Sequence, residues 1–256
     1  MKNNIIYIFL IGFLLTGFNS CKRDYTMIAG YLPVKGTSQV KVLDLSPSFR
    51  KVYNAADSFN VLINGGVINS PFLSFSAMFP ASGTSFGYVS VPAGLDTFKL
   101  TIPGKLTGDS IPITSTTQML MKDSSYTFII TDSAFTLLHD SYSPPLTGYF
   151  NLRLVHAALN DTAGKNIDIY STRYNTTIFK NIKPGANTFF TAFAYNTQLT
   201  DTLYVRRAGS NTITLDTLNA VSFSNQRTYT LYYKGDATTN WTTNAKRRHL
   251  AVYVNQ

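Results

Sequence analysis

The sequence predicts an all-β protein built as two tandem antiparallel β-sandwich domains, and three observations lead there. The first is composition. All 13 acidic residues are Asp and Glu is absent, although Glu is a good helix former and Asp a turn former. The chain holds 16 Tyr and 18 Phe, which suit pleated, half-buried strands. The second is punctuation. Asn64-Gly65-Gly66, Pro80-Ala81-Ser82-Gly83, Pro92-Ala93-Gly94, Pro103-Gly104, Lys183-Pro184-Gly185 and Lys234-Gly235-Asp236 interrupt the chain at short intervals, as turns between short strands would. The third is an internal repeat.

Four apolar segments recur in the same order. Gln39 to Pro47 matches Asn151 to Leu159, Phe59 to Gly65 matches the run beginning Ile167-Asp168-Ile169-Tyr170, Thr97 to Gly104 matches Thr202 to Gly209, and Ser125 to Ile130 matches Thr228 to Tyr233. Loop lengths differ while strand order is kept, as in tandem copies of one β-domain. In Val40-Lys41-Val42-Leu43-Asp44-Leu45 one face is apolar from the start and the other becomes so, the pattern of a central sandwich strand. The chain of 256 residues is long enough for two domains of ~100 residues with their own cores. The predicted boundaries are 37–141 and 148–256, joined by a linker at 142–147 that contains Pro144-Pro145; paired prolines end a strand and stiffen a connection.

The leader has its own chemistry. Lys2 precedes an apolar run over residues 5–18, then Asn19-Ser20 and Cys21, the chain's single cysteine. The run is shorter than the ~20 residues that span a bilayer as a helix, which suits the core of an export signal. Gly17-Phe18-Asn19-Ser20-Cys21 resembles a loose form of the bacterial lipoprotein signal. The resemblance implies a signal peptide at 1–20, a lipid-bearing Cys21, and a tether at 21–36. Acyl chains contribute ~0.8 kcal/mol per buried CH₂, so two or more give a stable membrane anchor. Acylation also removes a free thiol from an oxidising compartment. In such lipoproteins an Asp after the cysteine favours inner-membrane retention; Lys22 therefore points to the outer membrane.

A family comes into view at Arg153-Leu154-Val155-His156-Ala157, Ile167-Asp168-Ile169-Tyr170 and the closing Tyr-Thr strands. These resemble the domain of unknown function 4397 family. The first copy keeps Ser46-Pro47 and Tyr88 to Gly94, with Asp44 and Asn60 where the family has His and Asp; the second keeps His156 and Asp168, with Ala158-Leu159 in place of Ser-Pro. The resemblance spans about residues 38–235 and implies immunoglobulin-like sandwiches, which speaks to fold and not to activity.

Catalytic and metal signatures are weak. Gly83-Thr84-Ser85-Phe86-Gly87 fits a nucleophile elbow only if a helix follows, and Tyr88 to Pro92 reads as a strand. His139, His156 and His249 lack zinc-ligand spacing. His156 and Asp168 are expected to meet on adjacent strands in a structural hydrogen bond. Asn160-Asp161 reads as an Asx turn, not a calcium loop. No cofactor is expected, and no enzyme. The formal charge of +9 is scattered, apart from Lys246-Arg247-Arg248, and an exported protein meets no genome, so no nucleic-acid partner is expected; a polyanion at that cluster is the residual reading.

Five Asp-Ser/Thr-apolar triplets resemble the O-glycosylation signal of Bacteroidetes-type bacteria and make Ser110, Ser133, Thr162, Thr202 and Thr217 candidate modification sites. Trp241, Tyr232, Tyr233, Tyr195, Phe189 and Phe190 could stack on sugars, although most aromatics in a sandwich are core or cross-strand partners. Two functional expectations follow: an outer-membrane, lipid-anchored interaction or scaffold module with a protein partner in the envelope, or a glycan-binding surface lipoprotein associated with polysaccharide uptake or adhesion.

Overall fold

The computed structural model describes residues 36–53, 57–81, 87–103, 110–132, 135–140, 143–161, 166–196, 200–239 and 243–255. The expected signal peptide, Cys21, Ser133, Thr162 and Trp241 lie outside them, as does most of the Gly83 to Gly87 motif.

Among the described residues the secondary structure is β apart from one helical turn, α1 (Phe49–Tyr53). The first half contributes β1 (Thr37–Asp44), β2 (Ser58–Ile63), β3 (Gly66–Val67), β4 (Leu73–Ser74), β5 (Met78–Phe79), β6 (Val89–Pro92), β7 (Gly94–Pro103), β8 (Ser110–Leu120), β9 (Ser125–Ile130) and β10 (Phe135–Asp140). One sheet runs β10-β9-β1-β5 with β6 also on β1, and the other runs β3-β2-β7-β8 with β4 on β2. The second half contributes β11 (Tyr149–His156), β12 (Ile167–Ser171), β13 (Thr176–Ile182), β14 (Thr191–Ala194), β15 (Asp201–Arg207), β16 (Thr214–Val221), β17 (Thr228–Lys234) and β18 (His249–Val254). Its sheets run β14-β11-β17-β18 and β13-β12-β15-β16.

The repeat is a repeat of strand register. β1 lies on β9 with Gln39 facing Ser125, and β11 lies on β17 with Asn151 facing Thr228. In the second sheets Asn60 faces Thr101 and Asp168 faces Arg206. Each of these pairs is made of the residues that the sequence repeat matches. One feature departs from the antiparallel expectation: β1–β9 and β11–β17 are parallel. A parallel pair needs a long crossover, and each half supplies one by building its other sheet in between.

Three apolar clusters separate the four sheets. Val40, Val42, Phe128 and Ile130 pack on Phe59, Val61, Phe98 and Leu100 inside the first sandwich. Leu152, Leu154 and Leu231 pack on Ile167, Ile169, Leu203 and Val205 inside the second. The third cluster joins the halves: Leu43, Leu45, Met78, Ile129 and Leu138 meet Val155, Ala157 and Tyr232. Two inner sheets therefore lie face to face and each is covered on both sides. This explains why β9 and β17 are buried at every position and why both faces of β1 turn apolar.

Candidate functional site

The join between the halves is self-complementary. Register makes Lys41 the counterpart of Arg153, since both precede the strand position opposite a matched aromatic or apolar residue of β9 or β17. Lys41 Nζ donates across the join to the Val254 carbonyl at 3.3 Å, and Arg153 donates to the His139 carbonyl at 3.1 Å. Val254 and His139 are themselves counterparts, on β18 and β10. Lys41 lies 4.4 Å from the Tyr88 ring and Arg153 4.4 Å from the Phe190 ring. Tyr88 and Phe190 each precede the strand, β6 or β14, that borders the cation's own strand. The same patch thus meets itself about a pseudo-twofold, as in an isologous dimer.

One pair of counterparts breaks the symmetry. Asp140 ends β10 where Asn255 follows β18. Asp140 forms a buried ion pair with Arg153, both side chains 3% exposed. Thr127 and Tyr88 donate to its other oxygen at 2.7 and 2.8 Å, and Asn255 donates at 3.3 Å. Arg153 also donates to Thr230 at 2.9 Å. Burial pulls the Lys41 ammonium down to about 8, with Asp140 acting against that fall. Burial and the Asp140 carboxylate hold the Tyr88 hydroxyl protonated, so it stays a donor. Elsewhere in the join Lys234 donates to Ser76 and to the Tyr253 hydroxyl. Its counterpart across the pseudo-twofold is Thr131, and there a cavity of about 250 Å³ opens among Ile129, Thr136, Val155, Gly185 and Asn187.

The expected His156–Asp168 bond does not form. His156 is on the inner sheet and Asp168 on the outer one. The His156 ring bonds the Ile182 carbonyl at 3.2 Å, and Asp168 accepts from the N–H groups of Asn181 at 2.7 Å and Gly209 at 3.0 Å. His156 instead has Asp44 as its counterpart on β1, and both are fully buried. Burial pushes the Asp44 carboxyl up to about 7, opposed by the bond from the Ser46 N–H. Folded Asp44 keeps a proton that the unfolded chain loses near its ordinary value of 3.8. Its contribution to stability is therefore complete below that value and is lost as pH rises towards 7. Burial lowers the His156 pKa, so its contribution is present above the ordinary 6.5 and is lost as pH falls through the lowered folded value. Asp44→Asn is accordingly expected to raise the melting temperature at about pH 8 and to change it little at about pH 4. Thermal unfolding at the two pH values checks this; an equal shift at both would refute it.

Each member of the basic triplet near the C-terminus has a carboxylate partner. Lys246 pairs with Asp57 at 3.4 Å, Arg247 with Asp216 at 3.4 Å and Arg248 with Asp161 at 3.5 Å. Asn160 donates to Asp236 at 2.6 Å and accepts from the Ala237 N–H at 3.0 Å, a clasp between two loops distant in the chain. Among the described residues no group of three His, Cys, Asp or Glu could hold a metal, and no helix is long and apolar enough to cross a membrane.

The outer sheet of the second half carries a polar and aromatic strip. Thr202, Tyr204 and Arg206 alternate with buried Asp201, Leu203 and Val205 along β15. Tyr170 faces Tyr204, and Thr217 faces Tyr204 from the other side. The Arg206 guanidinium sits 3.9 Å from the Tyr170 ring centre and 5.5 Å from that of Tyr204. Two candidate glycosylation sites, Thr202 and Thr217, therefore flank one tyrosine; Ser110 begins the edge strand β8 of the other outer sheet. Of the aromatics singled out in the sequence, Tyr232 and Tyr233 are core, Phe190 stacks on Arg153, and Phe189 is 93% exposed. Tyr170 and Tyr204 escaped notice because their strand partners are visible only in the register.

Fold and join together define a class: a β module of two sandwiches joined through a self-complementary face. The chain belongs to the family described as Domain of unknown function (DUF4397), whose model matches residues 38–170. That span starts in β1, takes in the whole first sandwich and ends in β12. No curated protein matches the chain. A solved structure from Bacteroides ovatus, described as that of a candidate cell adhesion protein, is 11% identical, covers 86% of this chain and 95% of its own, and superposes with a TM-score of 0.19.

Proposed function

We propose that this protein is a lipid-anchored component of the cell envelope, held at the outer membrane through Cys21, and that it works as a non-enzymatic interaction module for another envelope protein. The observation that carries the reading is the joined body of four sheets. The strongest polar constellation, Arg153 with Asp140, Lys41 and Tyr88, is buried in the join and holds the halves together. Sheets pack ~10 Å apart, so the body presents two outer sheets some ~30 Å from each other. On the first, β8 is an edge strand of 11 residues, a template for strand addition. Beside it Leu95 and Met119, a cross-strand pair, are 68% and 60% exposed.

Two measurements test this. Cys21→Ala is expected to move the protein from the membrane to the soluble fraction and to abolish palmitate labelling; a variant still in the membrane fraction would sink the anchor. Cross-linking in intact cells from the β8 edge, read by mass spectrometry, is expected to capture one recurrent envelope protein. The tyrosine and arginine strip on β12 and β15 favours a second reading, glycan binding. Failure to capture a protein, together with retention on a polysaccharide, would select it.

A further inference from the structure

We propose that the outer face of β12 and β15 is a binding site for an acidic saccharide, with Arg206 as its carboxylate-binding residue and Tyr204 as its stacking surface; this rests on the glycan-binding reading above. Arg206 is unusual among the described arginines of this chain. Arg153, Arg247 and Arg248 each reach a carboxylate or a carbonyl. Arg206 donates no hydrogen bond to any described residue, and its buried Nε–H has no partner. The carboxylate directly across from it, Asp168, is occupied by the N–H groups of Asn181 and Gly209. The guanidinium instead lies 3.9 Å from the Tyr170 ring centre, and no described residue accepts from its terminal N–H groups. A planar fork fixed in this way is matched to a carboxylate, which it can bind in two parallel charge-assisted hydrogen bonds.

The neighbours supply the rest of a sugar site. Tyr204 presents its ring one step along the strip, with its centre 6.4 Å from that of Tyr170. Thr202 lies two residues before it on the same face and Thr217 faces it from β16. No described residue uses these two hydroxyls or that of Tyr204. A ring for the C–H face of a pyranose, three hydroxyls for its own hydroxyls, and a guanidinium for a carboxylate are the groups that a uronic acid needs. The chain is basic overall, at +9, which draws in an anion. The first half does not share the site. At the positions matching Tyr170, Tyr204 and Arg206 it has Leu62, Lys99 and Thr101, so the strip belongs to the second copy alone.

The test is affinity electrophoresis of the intact, unmodified protein through gels containing polygalacturonate, its methyl ester, or poly-aspartate, with thermal melting to confirm that each variant is folded. Polygalacturonate is expected to retard the wild type, and esterification to abolish the effect. Arg206→Gln is expected to weaken retention about tenfold or more, the scale of a lost hydrogen bond to a charged group. Arg206→Lys, which keeps charge and loses the fork, is expected to weaken it part of the way, as is Tyr204→Ala. Lys180→Gln, an exposed cation on neighbouring β13, is expected to leave it unchanged. Equal loss from Lys180→Gln would show general charge attraction and overturn the site. So would equal retardation by poly-aspartate, which would point to an acidic protein. Retention of polygalacturonate by folded Arg206→Gln, or of the methyl ester by the wild type, would overturn the assignment and leave glycan binding standing. Indifference to both polysaccharides would sink the glycan reading with it.

Discussion

Arg153→Met is expected to destabilise the protein by about 3–5 kcal/mol, the cost of stranding one member of a buried ion pair. Removal of the guanidinium leaves Asp140 charged, 3% exposed, and satisfied only by Thr127, Tyr88 and Asn255. The His139 carbonyl and the Thr230 hydroxyl lose a donor as well. The double variant Arg153→Met with Asp140→Leu is expected to recover most of the loss, because an apolar pair of similar volume avoids burying any charge. Urea unfolding of the two single variants and the double variant gives the coupling directly. If the double variant were as unstable as the sum of the singles, the pair would not be the strut described above.

Phe128→Ala is expected to cost a similar amount, about 3–5 kcal/mol, as a large aromatic removed from a filled core. Phe128 is fully buried, stacked 4.3 Å from Phe98 and 5.6 Å from Phe135. Its strand matters more than its volume. β9 turns Tyr126, Phe128 and Ile130 into the first sandwich and Ile129 into the join, where it meets Val155 and Tyr232. Loosening β9 therefore withdraws support from the second half. Hydrogen exchange is expected to speed up along β11 and β17 together with β1 and β9, within one unfolding transition. Wild-type protection retained in β17 while β9 exchanges freely would mean that the halves unfold independently.

The two predictions share a feature that the sequence only hinted at. Lys41 and Arg153 are basic residues set in runs that are otherwise apolar, at matching places in the repeat. A buried cation needs a partner, so the pattern announced a partner without naming it. Asp140 and Asn255, which break the symmetry of the join, lie beyond the last matched segments, and nothing local ties them to β11. The expectation for His156 and Asp168 failed for a related reason. Their strands, β11 and β12, follow one another in the chain but belong to different sheets, so each residue found a backbone partner nearby. The acidic residues, read as turn formers, were mixed: Asp201 caps the turn at Thr172 and Arg173, whereas Asp140 and Asp161 are ion-pair centres.

What the sequence by itself determined was the β character and the order of the matched strands along the chain. Those follow from alternation along short segments, from turn residues, and from comparison of one half with the other, all of them local or repeated signals. What only the tertiary structure decided was the meeting of the inner sheets and the clustering of Tyr170, Tyr204 and Arg206 on one face. Both depend on which surfaces come to lie against each other or side by side across strands distant in the chain. Burial on a second face leaves the same apolar mark on a strand whatever covers it, and a guanidinium without a partner is recognisable only once every neighbour is in place.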